Sequence, residues 1–234
     1  MILSINQPAY LPWLGYFHRI AISDAHVVLD SVQFEKNSYV NRNKVRTRTG
    51  WCWLTVPLRT SGKFGNLAIN QLEIANERGW AAKHWATLRL NYAKAPFFDE
   101  HAHFFKAIYR REWRNLGELT HETTEYLLNV LAIQTRLYFS SKQEVSGKKD
   151  ELILNLCRKL GATVYLSGPL GRNYLREELF REQGIAVRYH DYHHPTYPQA
   201  HPGFEANMTV LDLLFNAGPQ SLEILTKDQE RIDG

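Results

Sequence analysis

Apolar positions along the chain fall into three regimes. At the front, residues 2–6 (ILSIN) form a short run that predicts a strand. Pro12 then opens a helical pattern with Trp13, Leu14, Phe17, Ile20 and Ala21 on one face. Residues 26–30 (HVVLD) are a second short, β-branched run. Strand, turn, helix and strand within about 30 residues read as a βαβ unit, so the two strands are expected to be parallel. Residues 51–58 (WCWLTVPL) and 67–75 (LAINQLEIA) predict further strands, joined by RTSGKFGN (59–66), a flexible or ligand-gated loop. From 77 the period turns helical, with helices expected at 79–93, 99–115 and 118–138, broken at Pro96 and around Gly117. The last third alternates. A helix carrying Leu152, Ile153, Leu156, Cys157 and Leu160 on one face ends at Gly161. A strand at 163–167, a helix at 172–183, a strand at 185–192 and a helix at 209–216 follow.

This layout predicts an α/β fold: a mostly parallel, Rossmann-like sheet flanked by helices, with a helical insertion at about 77–140. One domain over 1–234 is expected, since 234 residues are enough for one large core and too few for two generous ones. No run approaches the roughly 18 apolar residues of a membrane helix, so no transmembrane segment is expected. The first residues lack a basic region followed by an apolar core and a cleavage site, so no secretion signal is expected either. Cys52 and Cys157, one in a strand-like and one in a helix-like context, fit reduced thiols and a cytoplasmic location. The net charge of +4 and a pI near 9.0 suit phosphorylated small molecules, nucleotide sugars or an anionic membrane surface. A Lys/Arg-rich block is missing, which argues against dedicated nucleic-acid binding.

In open α/β sheets ligands bind beyond the carboxyl ends of the strands. Here those ends carry dense polar and aromatic chemistry: Asn6-Gln7-Pro8-Ala9-Tyr10, then Asp30 through Asn37, Ser167 through Tyr174, and Tyr192 through Gln199. Each piece also has a plain structural reading. Pro8 and Pro12 can shape a turn, Trp13 and Phe17 can fill core, and Gln7 can brace a loop as readily as it can touch a substrate. Asp24 reads as a turn residue, and Asp212, three after Thr209, as part of a helix cap that needs no function. Asn41-Arg42-Asn43-Lys44 sets amides around two cations, with Lys36 close by; it fits an anion site or a solvated basic turn. His190, His193, His194 and His201 fall within twelve residues and His101 and His103 are two apart, but the spacing matches no zinc pattern. No metal is expected, and a histidine serving as base or loop hydrogen bonder fits better. Gly168-x-x-Gly171 is too short for a phosphate loop or a nucleophile elbow.

Taken together, "QPAYLPWLGYF" (7–17), "SDAHVVLDSVQFEKNSYVNRNKV" (23–45), "LTVPL" (54–58), "YLSGPLGRNYL" (165–175), "YHHPTYPQ" (192–199) and "FEANMTVLDLLFNAG" (204–218) resemble the WbqC-like proteins. That family occurs in bacterial O-antigen and other surface-polysaccharide gene clusters. The resemblance implies a role in glycan assembly and, from one proposal for the family, transfer of glycine to a sugar. It points to Gln7, Tyr10, Trp13, Asp30, Gln33, Lys36, Asn41, Arg42, Asn43, His194, Tyr197 and Gln199 as functional positions.

The leading expectation is a transferase that adds an aminoacyl or acyl group to a nucleotide- or lipid-linked sugar. Asp30, His194 and Lys36 are its expected catalytic residues, with Asp30 or His194 as general base. Gln7, Tyr10, Trp13, Gln33, Asn41, Arg42, Asn43, Tyr197 and Gln199 are the expected substrate contacts. No cofactor motif is recognisable; a nucleotide or nucleotide sugar fits the strand ends. Expected partners are a phosphorylated small molecule or activated sugar, and glycan-assembly enzymes touched peripherally. The alternatives are nucleotidyl transfer by a nucleotide-binding enzyme and a non-catalytic ligand-binding or scaffold protein.

Overall fold

In the computed structural model, which describes residues 1–62, 65 and 67–227, five parallel strands form one sheet. They are β1 (Ile2–Asn6), β2 (Ala25–Val28), β5 (Arg136–Phe139), β6 (Val164–Ser167) and β7 (Ala186–Tyr189), in the spatial order β5-β2-β1-β6-β7. Helix α1 (Leu14–Ala21) joins β1 to β2, as the βαβ pattern requires. Strands β3 (Arg42–Thr47) and β4 (Gly50–Thr55) make a separate antiparallel hairpin. Helices α2 (Trp80–Tyr92), α3 (Phe98–Arg110) and α4 (Leu116–Val130) form the central helical segment. Helices α5 (Asp150–Lys159), α6 (Glu177–Glu182), α7 (Val210–Ala217) and α8 (Ser221–Thr226) complete the chain. Among the described residues no helix is long and apolar enough to cross a membrane.

Both faces of the sheet are buried, as parallel sheets require, but they differ in chemistry. Leu3 and Ile5 of β1 and Val27 of β2 join Leu152, Ile153 and Leu156 of α5 and Phe180 of α6 in a dry cluster. The alternate position on β1 is Ser4, fully buried, whose hydroxyl lies 2.8 Å from Nδ1 of His26 on β2 and accepts from Ser23 at 2.9 Å. Burial pushes the His26 pKa down to about 3, so its ring is neutral. A polar seam therefore runs beneath α1, where simple alternation of apolar residues would have placed another leucine.

The segment 7–13 is pinned from three sides. The amide of Tyr10 donates to the Tyr39 carbonyl at 3.1 Å, Asn43 Nδ2 donates to the Leu11 carbonyl at 2.7 Å, and Val210 donates to the Pro12 carbonyl at 2.8 Å. Those contacts hold Leu11 at φ +46°, a left-handed conformation that a leucine adopts only under compulsion.

Four expectations are corrected. Residues 118–138 are not one helix: α4 ends at Val130, Ala132 turns the chain at φ +53°, and Arg136–Phe139 becomes the edge strand β5. No glycine or proline marks that turn, so the apolar period runs through it unseen. Residues 67–75 make isolated bridges and a 3₁₀ turn over Ile69–Gln71 instead of a strand. The basic segment 41–44 is not a turn after a strand end; from Arg42 it is itself strand β3, paired with the predicted strand at 51–58, which spans Gly50–Thr55. The helix expected from 172 starts at Glu177, after a 3₁₀ turn over Pro169–Asn173. The loop expected at 59–66 lies partly outside the described residues, at Lys63, Phe64 and Asn66.

Candidate functional site

From β1 the chain builds outward to β2 and later β5, and only then returns to lay β6 and β7 against the other side of β1. The order reverses between β1 and β6, and the crevice outside such a reversal is where open α/β sheets take their ligands. A cavity of about 230 Å³ opens there, lined by Trp13, Gly15, Arg19, Pro169, His190, Asp191, Tyr192 and His193.

Arg19 dominates its electrostatics. The residue sits four after Gly15 on α1, so both meet the crevice from one helix face. Its guanidinium donates through Nη2 to Asn6 Oδ1 at the end of β1. A Cβ at Gly168 would collide with the same guanidinium, so the first residue after β6 must be glycine for Arg19 to lie where it does. Burial draws its pKa below the ordinary arginine value, and the groups that offset this are the tyrosines Tyr165, Tyr16 and Tyr174, neutral phenols near pH 7. Among the described residues no carboxylate pairs with it. Its Nε and the Asn6 Nδ2 are buried donors without an acceptor. A buried donor left unmade costs about 1–3 kcal/mol, so two at one place call for an explanation.

Two imidazoles complete the crevice. His18 Nδ1 and His190 Nε2 are 2.7 Å apart, their rings stack at 5.0 Å between centroids, and Tyr192 stacks on His190 and lies tilted against His18. Burial lowers the His18 pKa to about 4. For His190, burial together with the nearby Arg19 and His18 charges lowers it to about 3. Both rings are therefore neutral near pH 7 and can pass a proton along their shared hydrogen bond. At the rim, Arg172 grips Asp191 with a two-pronged contact of 2.9 and 2.6 Å.

A second cavity of about 320 Å³ lies beyond β1, β2 and β5 and is bordered by Pro8, Tyr16, Asp30, Asn70, Glu118, His121 and Lys142, among others. Asp30 is fixed by its neighbours from β5: Oδ1 accepts from Ser140 Oγ and the Ser141 amide, each at 2.9 Å, and Oδ2 from Ser141 Oγ at 2.7 Å. His121 lies on α4, 3.3 Å from Glu125, with its ring edge-on to Phe139 at 4.9 Å. Pro8 and Tyr16 border this cavity while Trp13 and Gly15 border the other, so the segment 8–16 separates the two.

The structure disperses the residues singled out from sequence. Asp30 lines the larger cavity and Trp13 the smaller one. Gln7 is half-buried just past β1 and borders neither cavity. Tyr10 is wholly buried, its hydroxyl 2.8 Å from His84 Nδ1 and 2.6 Å from the Tyr109 hydroxyl. Gln33 anchors the backbone at Leu67 and Asn41 that at Val56, while Asn43 holds Leu11. Lys36 is exposed and borders neither cavity, and Arg42 lies on the hairpin, stacked on Trp53 at 4.3 Å. His194 packs against Tyr197 and Phe204, with Nδ1 2.9 Å from the Pro195 carbonyl. Tyr197 and Gln199 both donate to Asp212, at 2.9 and 2.7 Å.

Asp212 thus does more than cap α7. Thr209 does the capping, accepting from the Leu211 amide, while the Asp212 carboxylate is fully buried and raised in pKa by that burial. Arg19 is the residue that sequence reasoning missed. Its trace was present in the i, i+4 pair Gly15/Arg19 and in the glycine that follows a strand ending at Ser167.

The chain was compared with known proteins. The profile of the WbqC-like protein family matches residues 7–224. "Uncharacterized protein Rv1507c" of Mycobacterium tuberculosis is 37% identical over 225 residues, covering 95% of this chain and 96% of that protein. No solved structure matches significantly.

Proposed function

The chain belongs to the WbqC-like protein family, and from that premise we propose that it modifies an activated sugar during glycan assembly, moving an acyl or aminoacyl group such as glycine onto it. The observation that carries this reading is Arg19: a guanidinium sunk at the switch point of the sheet, with an orphan Nε and, among the described residues, no carboxylate to neutralise it. A phosphate or carboxylate of the substrate in this crevice supplies the counter-charge that Arg19 lacks, and the forked guanidinium suits such a group. Trp13 and Tyr192 offer aromatic walls to the sugar or base attached to it. In the transfer step the acceptor amine or hydroxyl attacks the activated carbonyl carbon, its proton passes to a neutral base, and the leaving group departs with the electron pair of the broken bond. The His18–His190 pair is a neutral base in the same crevice as Arg19, and Asp30 in the adjoining cavity can orient an acceptor hydroxyl or ammonium.

The test is a thermal-shift and titration panel of nucleoside diphosphates, nucleoside diphosphate sugars and sugar phosphates, followed by mass analysis of any binding sugar after incubation with acyl and aminoacyl donors. Binding stabilises by about 2.7 kcal/mol at a hundredfold excess over Kd, which a melting curve resolves easily. A raised melting temperature with a sugar nucleotide, followed by a mass gain on the sugar, is expected. A shift with nucleoside diphosphates alone and no mass gain would move the reading to nucleotide binding. No shift with any anion would remove the switch-point site.

A further inference from the structure

The outer face of the β3–β4 hairpin carries chemistry that neither cavity uses. Alternation along the two strands turns Asn43, Val45 and Leu54 into the core and leaves Arg42, Lys44, Trp51 and Trp53 on the other side. Lys44 Nζ lies 4.1 Å from the Trp51 ring centroid, and the Arg42 guanidinium 4.3 Å from that of Trp53. Tyr39 packs on Trp53 at 5.8 Å, and Trp51 meets it edge-on at 5.7 Å. Tyr39 and Trp51 are 47% and 42% exposed, high for rings of that size, and Arg48 projects from the turn between the strands. The sequence around them is one-signed: residues 36–72 contain Lys36, Arg42, Lys44, Arg46, Arg48, Arg59 and Lys63 and no Asp or Glu. From another element, the Glu205 carboxylate approaches the hairpin beside Gly50.

We propose that this face docks on an anionic lipid bilayer. Free indole faces would suit a sugar or a nucleic-acid base, but here Lys44 and Arg42 already lie over them. What remains outward is indole edge, phenol and cationic head group together. That combination matches the bilayer interface, where tryptophan and tyrosine sit at head-group depth and lysine and arginine reach the phosphates. Arg42, Lys44 and the exposed Arg48 supply the charge complementarity on this face, whereas Arg46 is buried on backbone carbonyls and Arg59 pairs with Glu77. Each basic residue near an anionic surface adds about fivefold to the partition. The surface is independent of the switch-point site and stands whether or not that site binds sugars.

The test is co-sedimentation of the tag-free full chain with mixed phosphatidylcholine–phosphatidylglycerol vesicles, with pure phosphatidylcholine vesicles and, separately, binding to a single-stranded oligonucleotide. Sedimentation with the anionic vesicles alone, released by high salt, is expected. Arg48→Glu, in an exposed turn, should weaken it at least fivefold, Lys44→Glu with Arg48→Glu by more than tenfold, and Trp51→Ser severalfold. Arg48→Glu keeps the test open should changes within the strands disturb the hairpin. Equal binding to neutral vesicles, no binding to anionic ones, or wild-type binding by Arg48→Glu and the folded double variant would each overturn the proposal. So would an oligonucleotide that binds this face while vesicles do not.

Discussion

Arg19 and Asp212 are both charged side chains sunk among aromatic rings, and the fold provides for them in opposite ways. Asp212 is met by donors from its own chain at Oδ2, while its Oδ1 has none among the described residues. Tyr197 and Gln199 both reach Oδ2, and Gln199 is itself held at both ends of its amide by the backbone of Glu205. Arg19 has one amide oxygen, an orphan Nε and no carboxylate among the described residues. A buried carboxylate held by two donors of its own chain is structural, and removing one of the group destabilises. A buried charge whose partners are missing is costly in the empty protein and becomes favourable once an anion arrives. The first arrangement closes the molecule around α7, and the second leaves it open at the switch point.

The largest expected effect breaks the closed member. Asp212→Ala strands the buried Tyr197 hydroxyl and removes one acceptor from the half-buried Gln199 amide, which keeps its contacts to Glu205. This should cost about 2–4 kcal/mol. For a chain of this size that is roughly 5–15 °C in melting temperature. Calorimetry or a fluorescence melt reads it directly. The affinity of whatever folded protein remains, for any anion that shifts the wild type, should not change. A variant that melts like wild type while losing affinity would reverse the roles assigned to the two clusters.

Arg19→Met should do the opposite. The variant loses no ion pair, sheds an uncompensated buried charge and keeps most of the apolar stem, so its melting temperature should hold or rise slightly. Its affinity for a sugar nucleotide or phosphate should fall ten- to hundredfold, the worth of a charge-assisted contact of about 1.5–3 kcal/mol. Arg19→Lys should recover little, because an ammonium cannot reproduce the fork. Paired melts and titrations separate this from a general loss of fold.

How much of this was legible in the sequence follows from the same contrast. The parallel sheet could be read because strands β1, β2, β6 and β7 are bounded by turn residues and carry apolar runs of the right length. Strand β5 could not, because the turn before it rests on the backbone of Ala132 rather than on a glycine. Several of the residues chosen for their unusual chemistry brace the backbone: Asn43 under Leu11, Gln33 under Leu67, Gln199 under Glu205. Polar side chains that support a pinned loop look, along a sequence, the same as polar side chains that touch a ligand. Arg19 escaped notice for the converse reason. On an amphipathic helix it reads as a solvent-facing charge, and only the strand order reveals that its face of α1 looks into the crevice.

Gly168→Ala sharpens the comparison with a smaller change. The added methyl would occupy the place of the Arg19 guanidinium, so the flexible side chain must swing away while the strand end stays put. A loss of affinity of about tenfold with little change in melting temperature is expected, since one displaced contact is worth about 1.4 kcal/mol. Normal affinity in this variant would show that the guanidinium need not lie against β6.

The smallest effect concerns pH. His18 and His190 have pKa values lowered by burial, to about 4 and about 3 from an ordinary 6.5. In the folded protein both stay neutral over a range where the unfolded chain takes up protons. Their contribution to stability is therefore complete above pH 6.5 and is lost as the pH falls toward 4 and 3. Asp212 works in the other sense: its carboxyl is raised, so protonation favours the folded form, and its contribution fades as pH rises above the ordinary carboxylate range. His26 and His84 share the histidine trend, at about 3 and 4, so the wild type alone cannot assign the slope. The comparison that does so is His190→Asn, which keeps a hydrogen-bonding side chain facing His18 without the titration. Melting temperatures measured from pH 7 down to 4 should fall less steeply in this variant than in wild type, by a few degrees over the range. An anion bound at Arg19 favours the protonated imidazole beside it, so a saturating ligand should flatten the wild-type slope and leave that of His190→Asn nearly unchanged. A ligand that flattens both slopes equally would place the anion away from His190, and with it the proton path suggested for the imidazole pair.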